Sequence, residues 1–341
     1  MHSSAAKPIH RHCCLSAGLI AADNGELRIE VELPWLAVLG SAMLILPHDR
    51  LKRIMGSIAP DAHIQLTDGD NGAVCITSGR GSWTLPTLPA SDWPTVEDPK
   101  LQPVCRLPAD QFGRMANHVR VACETGDHSR MALGAVMLEM RDGVLTLVGT
   151  DGRRMCVASA EIDQATEDST TLIPRRSIEA MIAATRSAGD DGVQLERSAT
   201  QVVATMGTTT ITARQMQGQF PRWREIGKAR AEEPTEVSVG ALLALCGSAS
   251  ICTSPTSKGV EMTVGKTVRM KASSSEHGEA VCECDCVSAG VNITAKIDPS
   301  YAAEWLRTLE EAETVEMHLT DSASAVTLVC GDTVATIMPL A

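Results

Sequence analysis

The stretch Val148–Met155, VGTDGRRM, carries the residues whose types and spacing come closest to a chemical site. Asp151 and Gly152 form a tight corner after a β-rich run, and Arg153 and Arg154 follow directly. Read alone, this pattern fits a hydrolase that uses Asp151 and Arg154, or an anion cradle built on the two guanidinium groups. The elements that position the corner must decide between these interpretations.

No other segment indicates catalysis. The sequence contains no GxSxG, no HExxH, no Walker-type loop and no GxGxxG that opens a helix after a strand. The twelve cysteines lack paired CxxC spacing, which is typical of small buried hydrophobes in a reducing cytoplasm. CECDC, at Cys282–Cys286, has the period of a strand with one buried face, and no second ligand pair lies at zinc spacing. We therefore expect no catalytic residue, no metal and no cofactor.

Composition limits the class of partner. A net charge of −12 argues against nucleic acid as a partner unless positive charge is concentrated on one face. Two Phe, one Tyr and five Trp are too few for stacking platforms that hold single-stranded nucleic acid. The N-terminus has no apolar run long enough for a signal peptide or a membrane span, so we expect a cytoplasmic protein without membrane contact.

A unit of about 125 residues recurs along the chain. Pro47, Pro174 and Pro299 each stand ahead of a helical pattern, with spacings of 127 and 125 residues. Apolar stripes mark two of these helices, Leu51, Ile54, Met55 and Ile58 in the first and Ala302, Trp305, Leu306 and Leu309 in the third. The hairpins HIQLTDGDNGAVCIT and VEMHLTDSASAVTLV follow these two helices and look like copies of one another.

A strand region precedes each of these helices, and its glycines, Gly25, Gly143 and Gly265, are 118 and 122 residues apart. Asn24–Gly25 and Asp142–Gly143 predict two-residue hairpin turns. The sequence thus predicts an α+β chain of three similar domains at residues 1–103, 104–229 and 230–341. The first is shortened at its N-terminus, because it has no room for the helix that opens the other two.

Basic residues concentrate on the helices of the first two units, whereas acidic residues concentrate elsewhere. Examples of the basic set are His48, Arg50, Lys52 and Arg53. Cations on repeated helices could present a basic inner surface to a polyanion, and solvated helix faces are the alternative interpretation.

The threefold repeat, together with LVGTDGRRM, TLIPRRS, GQFPRW and the ending ATIMPLA, closely resembles the bacterial sliding clamp family, the beta subunit of DNA polymerase III. This resemblance implies the DNA clamp fold, a head-to-tail ring dimer with antiparallel sheets outside and helices lining a pore. It also implies a processivity factor for DNA replication that encircles duplex DNA without reading its sequence. Such a clamp is an accessory subunit without catalytic activity, and it tethers the replicative polymerase, the clamp loader and other proteins that carry a clamp-binding peptide.

The resemblance also implies three sets of site residues. The DNA-binding positions are Arg175, Arg176 and Arg130, with Arg114 and Arg120 added from their helix placement. The dimer-interface positions are Trp83 and Leu85 on one side and Ile251, Glu279 and Glu283 on the other. The peptide-binding cleft would comprise Leu133, Thr150, Gly152, Arg153, Arg154, Met155, Pro221, Ile226, Thr336, Ile337, Met338, Pro339 and Leu340.

The cleft chemistry suits an extended peptide, because Leu, Met, Ile and Pro form an adaptable apolar floor and the arginines a polar rim. Two features of the sequence depart from the family pattern. The first unit lacks its first helix, and Glu225 stands where the family often has an arginine beside the cleft. A clamp-like interaction protein that keeps the cleft but no longer encircles DNA is therefore the alternative function.

Overall fold

The structure is a computed structural model that describes residues 7–16, 18–34, 43–95, 100–125, 132–163, 167–226, 230–254, 258–288, 292–310 and 312–340. Two compact units are present. Unit 1 comprises Met1–Ala109 and Ala183–Arg214, and unit 2 comprises Asp110–Ile182 and Gln215–Ala341.

The elements of the described residues fall into three similar series. The first contains β1 (His12–Ser16), β2 (Leu19–Asp23), β3 (Leu27–Glu32), β4 (Met43–Pro47), α1 (His48–Ser57), β5 (Gln65–Asp68), β6 (Ala73–Ser78) and β7 (Gly81–Pro86). The second contains β8 (Gln102–Leu107), α2 (Ala109–Arg120), β9 (Ala135–Arg141), β10 (Val144–Thr150), β11 (Arg154–Glu161), β12 (Ser169–Pro174), α3 (Arg175–Thr185), β13 (Val193–Arg197), β14 (Gln201–Met206) and β15 (Thr209–Arg214). The third contains β16 (Thr235–Ser238), α4 (Val239–Ser250), β17 (Val260–Val264), β18 (Thr267–Ser274), β19 (Gly278–Asp285), β20 (Ile293–Ile297), α5 (Pro299–Leu306), β21 (Thr314–His318), β22 (Val326–Cys330) and β23 (Thr333–Ile337).

The strands form antiparallel sheets. Unit 1 has one sheet with the order β4-β1-β2-β3-β15-β14-β13-β8 and a smaller one with the order β5-β6-β7. Unit 2 has one sheet with the order β12-β9-β10-β11-β23-β22-β21-β16 and a smaller one with the order β19-β18-β17-β20. The predicted α+β class with antiparallel sheets is confirmed.

One strand order, fourth-first-second-third, occurs three times, as β4-β1-β2-β3, β12-β9-β10-β11 and β20-β17-β18-β19. The third strand of one series also pairs with the last strand of the next, as β3 with β15 and β11 with β23. The repeat is therefore a repeat of topology. The predicted domain boundaries stay a prediction, since both large sheets run across them.

The proline-led helices are present where the sequence places them. Pro47 and Pro174 stand directly before α1 and α3, and Pro299 is the first residue of α5. Proline's fixed φ suits a helix start. Leu51 and Ile54 of α1 are buried, but Met55 is exposed, so the stripe is narrower than predicted.

The two predicted hairpin turns differ. Asp142–Gly143 is a two-residue turn, with Arg141 paired to Val144 and a φ of +50° at Asp142. The prediction for Asn24–Gly25 is wrong, because Asp23 pairs with Arg28 and the loop has four residues, 24–27. Asn24 Oδ1 instead accepts hydrogen bonds from the amides of Glu26 and Leu27 at 3.0 and 2.8 Å. Gly25 is therefore not the counterpart of Gly143.

The CECDC stretch lies on β19 and its end, as the period of two predicts. Cys282 and Cys284 are half-buried, whereas Glu283 and Asp285 are exposed. Burial raises the pKa of the Cys284 thiol to about 11, so the thiol stays protonated at neutral pH.

The first series begins differently from the other two. Among the described residues, a short 3-10 turn, Pro8–Arg11, precedes β1, where the later series have α2 and α4. In the part of the chain that the structure describes, no helix has the length and apolarity that a membrane span requires.

Candidate functional site

The corner between β10 and β11 is a tightly bonded turn. Asp151 Oδ1 accepts hydrogen bonds from the amides of Arg153 and Arg154 at 2.9 and 3.0 Å. Thr150 Oγ1 donates to the Arg154 carbonyl at 2.7 Å and accepts from the Gly152 amide at 3.1 Å. Gly152 has a φ of +84°, a conformation that favours glycine. Side-chain and backbone bonds together hold this corner in one shape.

Asp151 has structural partners at both carboxylate oxygens. Its Oδ2 lies 3.1 Å from Arg154 Nε, and its Oδ1 receives the two amides of the turn. A hydrolase would need this carboxylate to contact a substrate or a water. The hydrogen bonds give Asp151 the role of a turn-forming residue, as in an Asx turn.

The segment after β23, Met338–Leu340, docks beside this corner and is called the C-terminal segment below. The Met338 amide donates to the Arg153 carbonyl at 2.9 Å, and the Leu340 amide donates to the Lys296 carbonyl at 2.7 Å. Ahead of it, β23 pairs with β11, so that Arg154 faces Ile337 and Met155 faces Thr336. Two predicted sequence stretches nearly two hundred residues apart thus form one site.

An apolar cluster forms the floor of this site. Met137, Val148 and Met155 are buried in it. Partly buried apolar side chains pack against these three, namely Val157, Leu172, Phe220, Trp223 and Ile226. On the other side of the corner, Leu133 Cδ1 lies 4.0 Å from the position that a Cβ on Gly152 would take. A half-buried apolar floor beside a polar turn can accept apolar anchors of an extended peptide.

The predicted cleft residues occupy two levels. Leu133, Pro221, Ile226, Pro339 and Leu340 are half-buried, and Met338 is 41% exposed. Gly152 and Arg153 are exposed, whereas Thr150, Met155, Thr336 and Ile337 are buried. The exposed and half-buried residues can therefore contact a ligand, and the buried ones support them from beneath.

Arg154 does not lie at the polar rim of the cleft, where the sequence places it. Its side chain is only 10% exposed, and its Nη1 lies 2.7 Å from Glu304 Oε2. Its guanidinium stands 4.6 Å from the centre of the Tyr301 ring. Arg154 therefore braces the corner against α5, whereas Arg153 is exposed.

Several residues of the site were not predicted from sequence. Phe220 and Trp223 flank Pro221 in GQFPRWREI, and two aromatics so close together in a chain with eight were an available signal. Tyr301 and Glu304 belong to α5, and no local pattern links them to Arg154. Their role follows only from tertiary packing.

The predicted DNA-binding arginines have unequal surroundings. Arg175 Nε lies 3.0 Å from Glu179 Oε1, and Arg175 Nη1 donates to the Cys123 carbonyl at 3.1 Å. Arg120 Nη1 lies 3.9 Å from the same Glu179 oxygen, and Arg114 pairs with Asp110 at 2.7 Å. Arg176 is exposed on α3. Arg130 lies outside the described residues.

The predicted interface residues lie on or beside two sheet edges. Strand β7 is an edge of the small sheet of unit 1, and β19 is an edge of the small sheet of unit 2. Trp83 is half-buried on β7, whereas Leu85 is buried in the core of unit 1 and can only support that edge from within. On the β19 side, Glu279 and Glu283 are exposed, and Ile251 beyond α4 is 76% exposed.

Three comparisons with known proteins identify relatives. Residues 106–222 match the family model for the DNA polymerase III beta subunit, central domain. The beta sliding clamp of Escherichia coli strain K12 is 26% identical over 252 residues, covering 74% of this chain and 68% of that protein. The beta sliding clamp of Haemophilus influenzae is 24% identical over 302 residues, covering 87% and 81%.

Solved structures show the same fold. The DNA polymerase III beta subunit of Thermotoga maritima superposes with a TM-score of 0.90 at 19% identity, covering all of this chain and 94% of that chain. The subunit from Pseudomonas aeruginosa superposes with a TM-score of 0.87 at 21% identity, covering 98% and 92%. The family resemblance predicted from the motifs is confirmed: this chain is similar to the bacterial beta sliding clamps, and its residues 106–222 match the central domain of the DNA polymerase III beta subunit.

Proposed function

We propose that the chain is a DNA polymerase processivity factor, a sliding clamp whose ring encircles duplex DNA and tethers the replicative polymerase. It acts in the cytoplasm as an accessory subunit without catalytic activity and needs no cofactor. The observation that carries this proposal is the repeated pairing of the third strand of one series with the last strand of the next.

This pairing rule supports the proposed ring closure. The rule is satisfied twice within the chain, by β3 with β15 and by β11 with β23. It leaves the third strand of the last series, β19, and the last strand of the first series, β7, both at sheet edges. Pairing of β19 with β7 of a second copy would satisfy the rule at every junction of a head-to-tail dimer and cover both edges.

The exposed apolar side chains support this dimer. Ile251 and Val281 are 76% and 48% exposed, and Val281 lies on β19 itself. Trp83 provides an aromatic surface on β7. Burial of such side chains supplies a favourable hydrophobic term, while the edge backbone supplies hydrogen bonds.

Duplex DNA is the proposed polyanionic ligand. Among the described members of the predicted set, Arg176 and Arg114 are exposed. Arg175 and Arg120 converge on Glu179, which orients them and offsets part of their charge. A few arginines attract phosphates without reading bases, and the overall charge of −12 limits the attraction, as sliding requires.

The corner, the apolar floor and the C-terminal segment form the proposed peptide cleft. Polymerase, clamp loader and other partners would dock an extended segment with apolar anchors on Leu133, Ile226 and Met338. The exposed Arg153 guanidinium would pair with acidic or carbonyl groups of that segment.

A loading assay on circular DNA tests the main proposal. The chain, with a clamp loader and ATP, should remain on nicked circular duplex and leave after the circle is linearised. A protein that binds the polymerase-tail peptide but never stays on closed circles would instead be the clamp-like interaction scaffold. Turnover of nucleotides or phosphoesters that is lost in Asp151→Ala would overturn the non-enzymatic proposal.

Deletion of Met338–Ala341 tests the cleft. We expect loss of measurable binding to a peptide copied from the polymerase tail, because the deletion removes both the Met338 surface and its hydrogen bond to Arg153. The dimer, whose predicted edges are elsewhere, should persist in light scattering. Unchanged peptide affinity in calorimetry would contradict the cleft assignment.

A further inference from the structure

The corner between β2 and β3 in unit 1 shares three side-chain-to-amide hydrogen bonds with the cleft corner between β10 and β11 in unit 2. Asp23 Oδ1 accepts from the Gly25 amide at 2.6 Å, as Thr150 Oγ1 accepts from the Gly152 amide. Asn24 Oδ1 accepts from the amides of Glu26 and Leu27, as Asp151 accepts from those of Arg153 and Arg154. The two corners are therefore equivalent residue by residue.

The strand that follows each corner is equivalent as well. Arg28 pairs with Thr212, and Met155 pairs with Thr336. Outside the ladder, the Arg214 amide donates to the Glu26 carbonyl at 2.8 Å, as the Met338 amide donates to the Arg153 carbonyl. Unit 1 thus contains the scaffold of a second peptide cleft.

An apolar cluster also lies under the unit 1 corner. Cys14, Ala21, Ile45 and Trp93 are buried together, with Ile9 added from the turn before β1. Cys14 pairs with Ile45 as Met137 pairs with Leu172 in the cleft floor. The foundation of the two corners is therefore apolar in both units.

The side chains that lie next to these apolar clusters are uncharged in the unit 2 cleft and charged in unit 1. The positions of Thr150, Met155 and Val157 in the cleft correspond to Asp23, Arg28 and Glu30 in unit 1. Arg28 Nη2 lies 2.7 Å from Glu30 Oε1, and Arg28 Nη1 lies 3.7 Å from Asp23 Oδ2. Arg28 Nη1 also donates to the Pro94 carbonyl at 3.3 Å. Arg28 and Glu30 thus stand where the cleft floor has Met155 and Val157, and Asp23 stands where the cleft corner has Thr150.

The residue that flanks the corner changes as well. Where Leu133 approaches Gly152, His10 approaches Gly25, with His10 Cε1 at 3.7 Å from the position of an added Cβ. The Arg28 and Asp23 side chains are only 16% and 9% exposed. An apolar anchor in this corner would have to displace or desolvate a largely buried ion-pair network, which costs free energy that an apolar contact does not return.

We propose that Asp23, Arg28 and Glu30 determine specificity by closing the unit 1 corner to clamp-binding peptides, so that each chain offers one cleft. This inference rests on the proposed peptide cleft of unit 2. The three residues would then exclude a ligand from the unit 1 corner, whose backbone scaffold is equivalent to that of the unit 2 cleft. Stabilising the fold of unit 1 would not by itself require this exclusion.

Conversion of the unit 1 corner tests the proposal. The full-length triple variant Asp23→Thr, Arg28→Met and Glu30→Val replaces all three charged partners together, so none is left buried and unpaired. Titration with the polymerase-tail peptide in calorimetry should give one peptide per wild-type chain and two per variant chain. A correctly folded variant that still binds one peptide would overturn the proposal.

The reciprocal variant Thr150→Asp, Met155→Arg and Val157→Glu provides a second measurement if the first variant does not fold. It transfers the charged set to the cleft, and we expect peptide affinity to fall by about 100-fold or more. Affinity within about threefold of wild type would overturn the proposal, since the charged set would then not exclude the peptide. Absence of peptide binding by the wild-type chain would instead contradict the cleft itself.

Discussion

At the scale of single residues, Arg154 joins three groups of unit 2. Its guanidinium contacts Asp151 in the turn, Glu304 on α5 and the ring of Tyr301. A planar guanidinium can pair with two carboxylates and stack on an aromatic ring at once, which an ammonium cannot do. Arg154 therefore ties the corner, which is one part of the proposed cleft, to α5.

Substitution of Arg154 should weaken peptide binding without removing a ligand contact. Arg154→Met leaves Glu304 and Asp151 without their partner, and we expect about 1–3 kcal/mol loss of stability and roughly tenfold weaker peptide binding. Arg154→Lys should lower stability and peptide affinity by less than Arg154→Met does. Lysine keeps the positive charge, but it lacks the planar guanidinium that bonds both carboxylates. Thermal melts and calorimetry measure both effects, and a Met variant that binds like wild type would refute the role of the brace.

His118 predicts a pH dependence of stability. Burial, aided by the charge of Arg114, lowers its pKa from 6.5 to about 4, and its Nδ1 lies 2.8 Å from Thr308 Oγ1. Since the unfolded chain binds the proton more tightly, the stability contributed by neutral His118 is complete above pH 6.5 and is lost as the pH falls toward 4. The loss should be about 1–3 kcal/mol.

Melting temperatures of wild type and His118→Gln at pH 7.5 and 4.5 check this prediction. The Gln variant cannot take up the proton, so its melting temperature should fall less between the two pH values than that of the wild type. Equal decreases in the two proteins would show that other groups cause the acid sensitivity.

At the scale of elements, α2 lies close to β10 at Gly149. A Cβ at this position would lie 2.2 Å from the Val119 carbonyl oxygen and 3.0 Å from Cys123 Sγ. Backbone atoms cannot yield as a flexible side chain would. Gly149 thus sets how closely this helix packs on the strand that leads into the corner.

A pair of glycine substitutions tests this packing. Gly149→Ala should lower stability by about 1–3 kcal/mol, because the helix must move away from the sheet. Gly247→Ala is the matched control, since Gly247 lies in α4 with open space around its Cβ position, and it should add about 0.5–1 kcal/mol. Equal melting temperatures of the two variants would contradict the close-packing argument.

Much of the element pattern could be predicted from sequence. The prolines marked three helix starts, and alternation marked β19, because both signals are local. Asn24–Gly25 predicts a two-residue hairpin turn, but Asn-Gly is compatible with more than one loop length, and the structure has the longer loop. The network of hydrogen bonds that selects the longer loop involves Asp23 and Leu27, and the dipeptide alone does not reveal it.

At the scale of the whole molecule, local sequence patterns do not predict the two eight-stranded sheets. The pairing of β3 with β15 and of β11 with β23 joins segments that are far apart in sequence, and period or turn chemistry does not specify such partners. The family resemblance supplied the cleft positions instead. It does not reveal that the Arg154 side chain is largely buried or that Leu85 belongs to a core.

The exposed valines of the third series offer a test of dimer closure. Val281→Lys places a charge on the edge strand β19, and we expect the solution mass to fall from that of a dimer to that of a monomer. Val287→Lys is the control, because Val287 is 73% exposed but its backbone bonds to Glu236, away from the proposed edge. A dimer that persists in Val281→Lys, or a Val287→Lys monomer, would contradict the assigned edge.

The pairing of β23 with β11 also sets an order of events during protein synthesis. The corner and most of the apolar floor leave the ribosome with the middle of the chain, whereas Thr333–Leu340 leaves it almost two hundred residues later. Nascent chains fold from the N-terminal side, so the proposed cleft stays incomplete until Thr333–Leu340 has been translated. A chain that ends before Thr333 would lack part of the proposed cleft, so we expect it not to bind the polymerase-tail peptide.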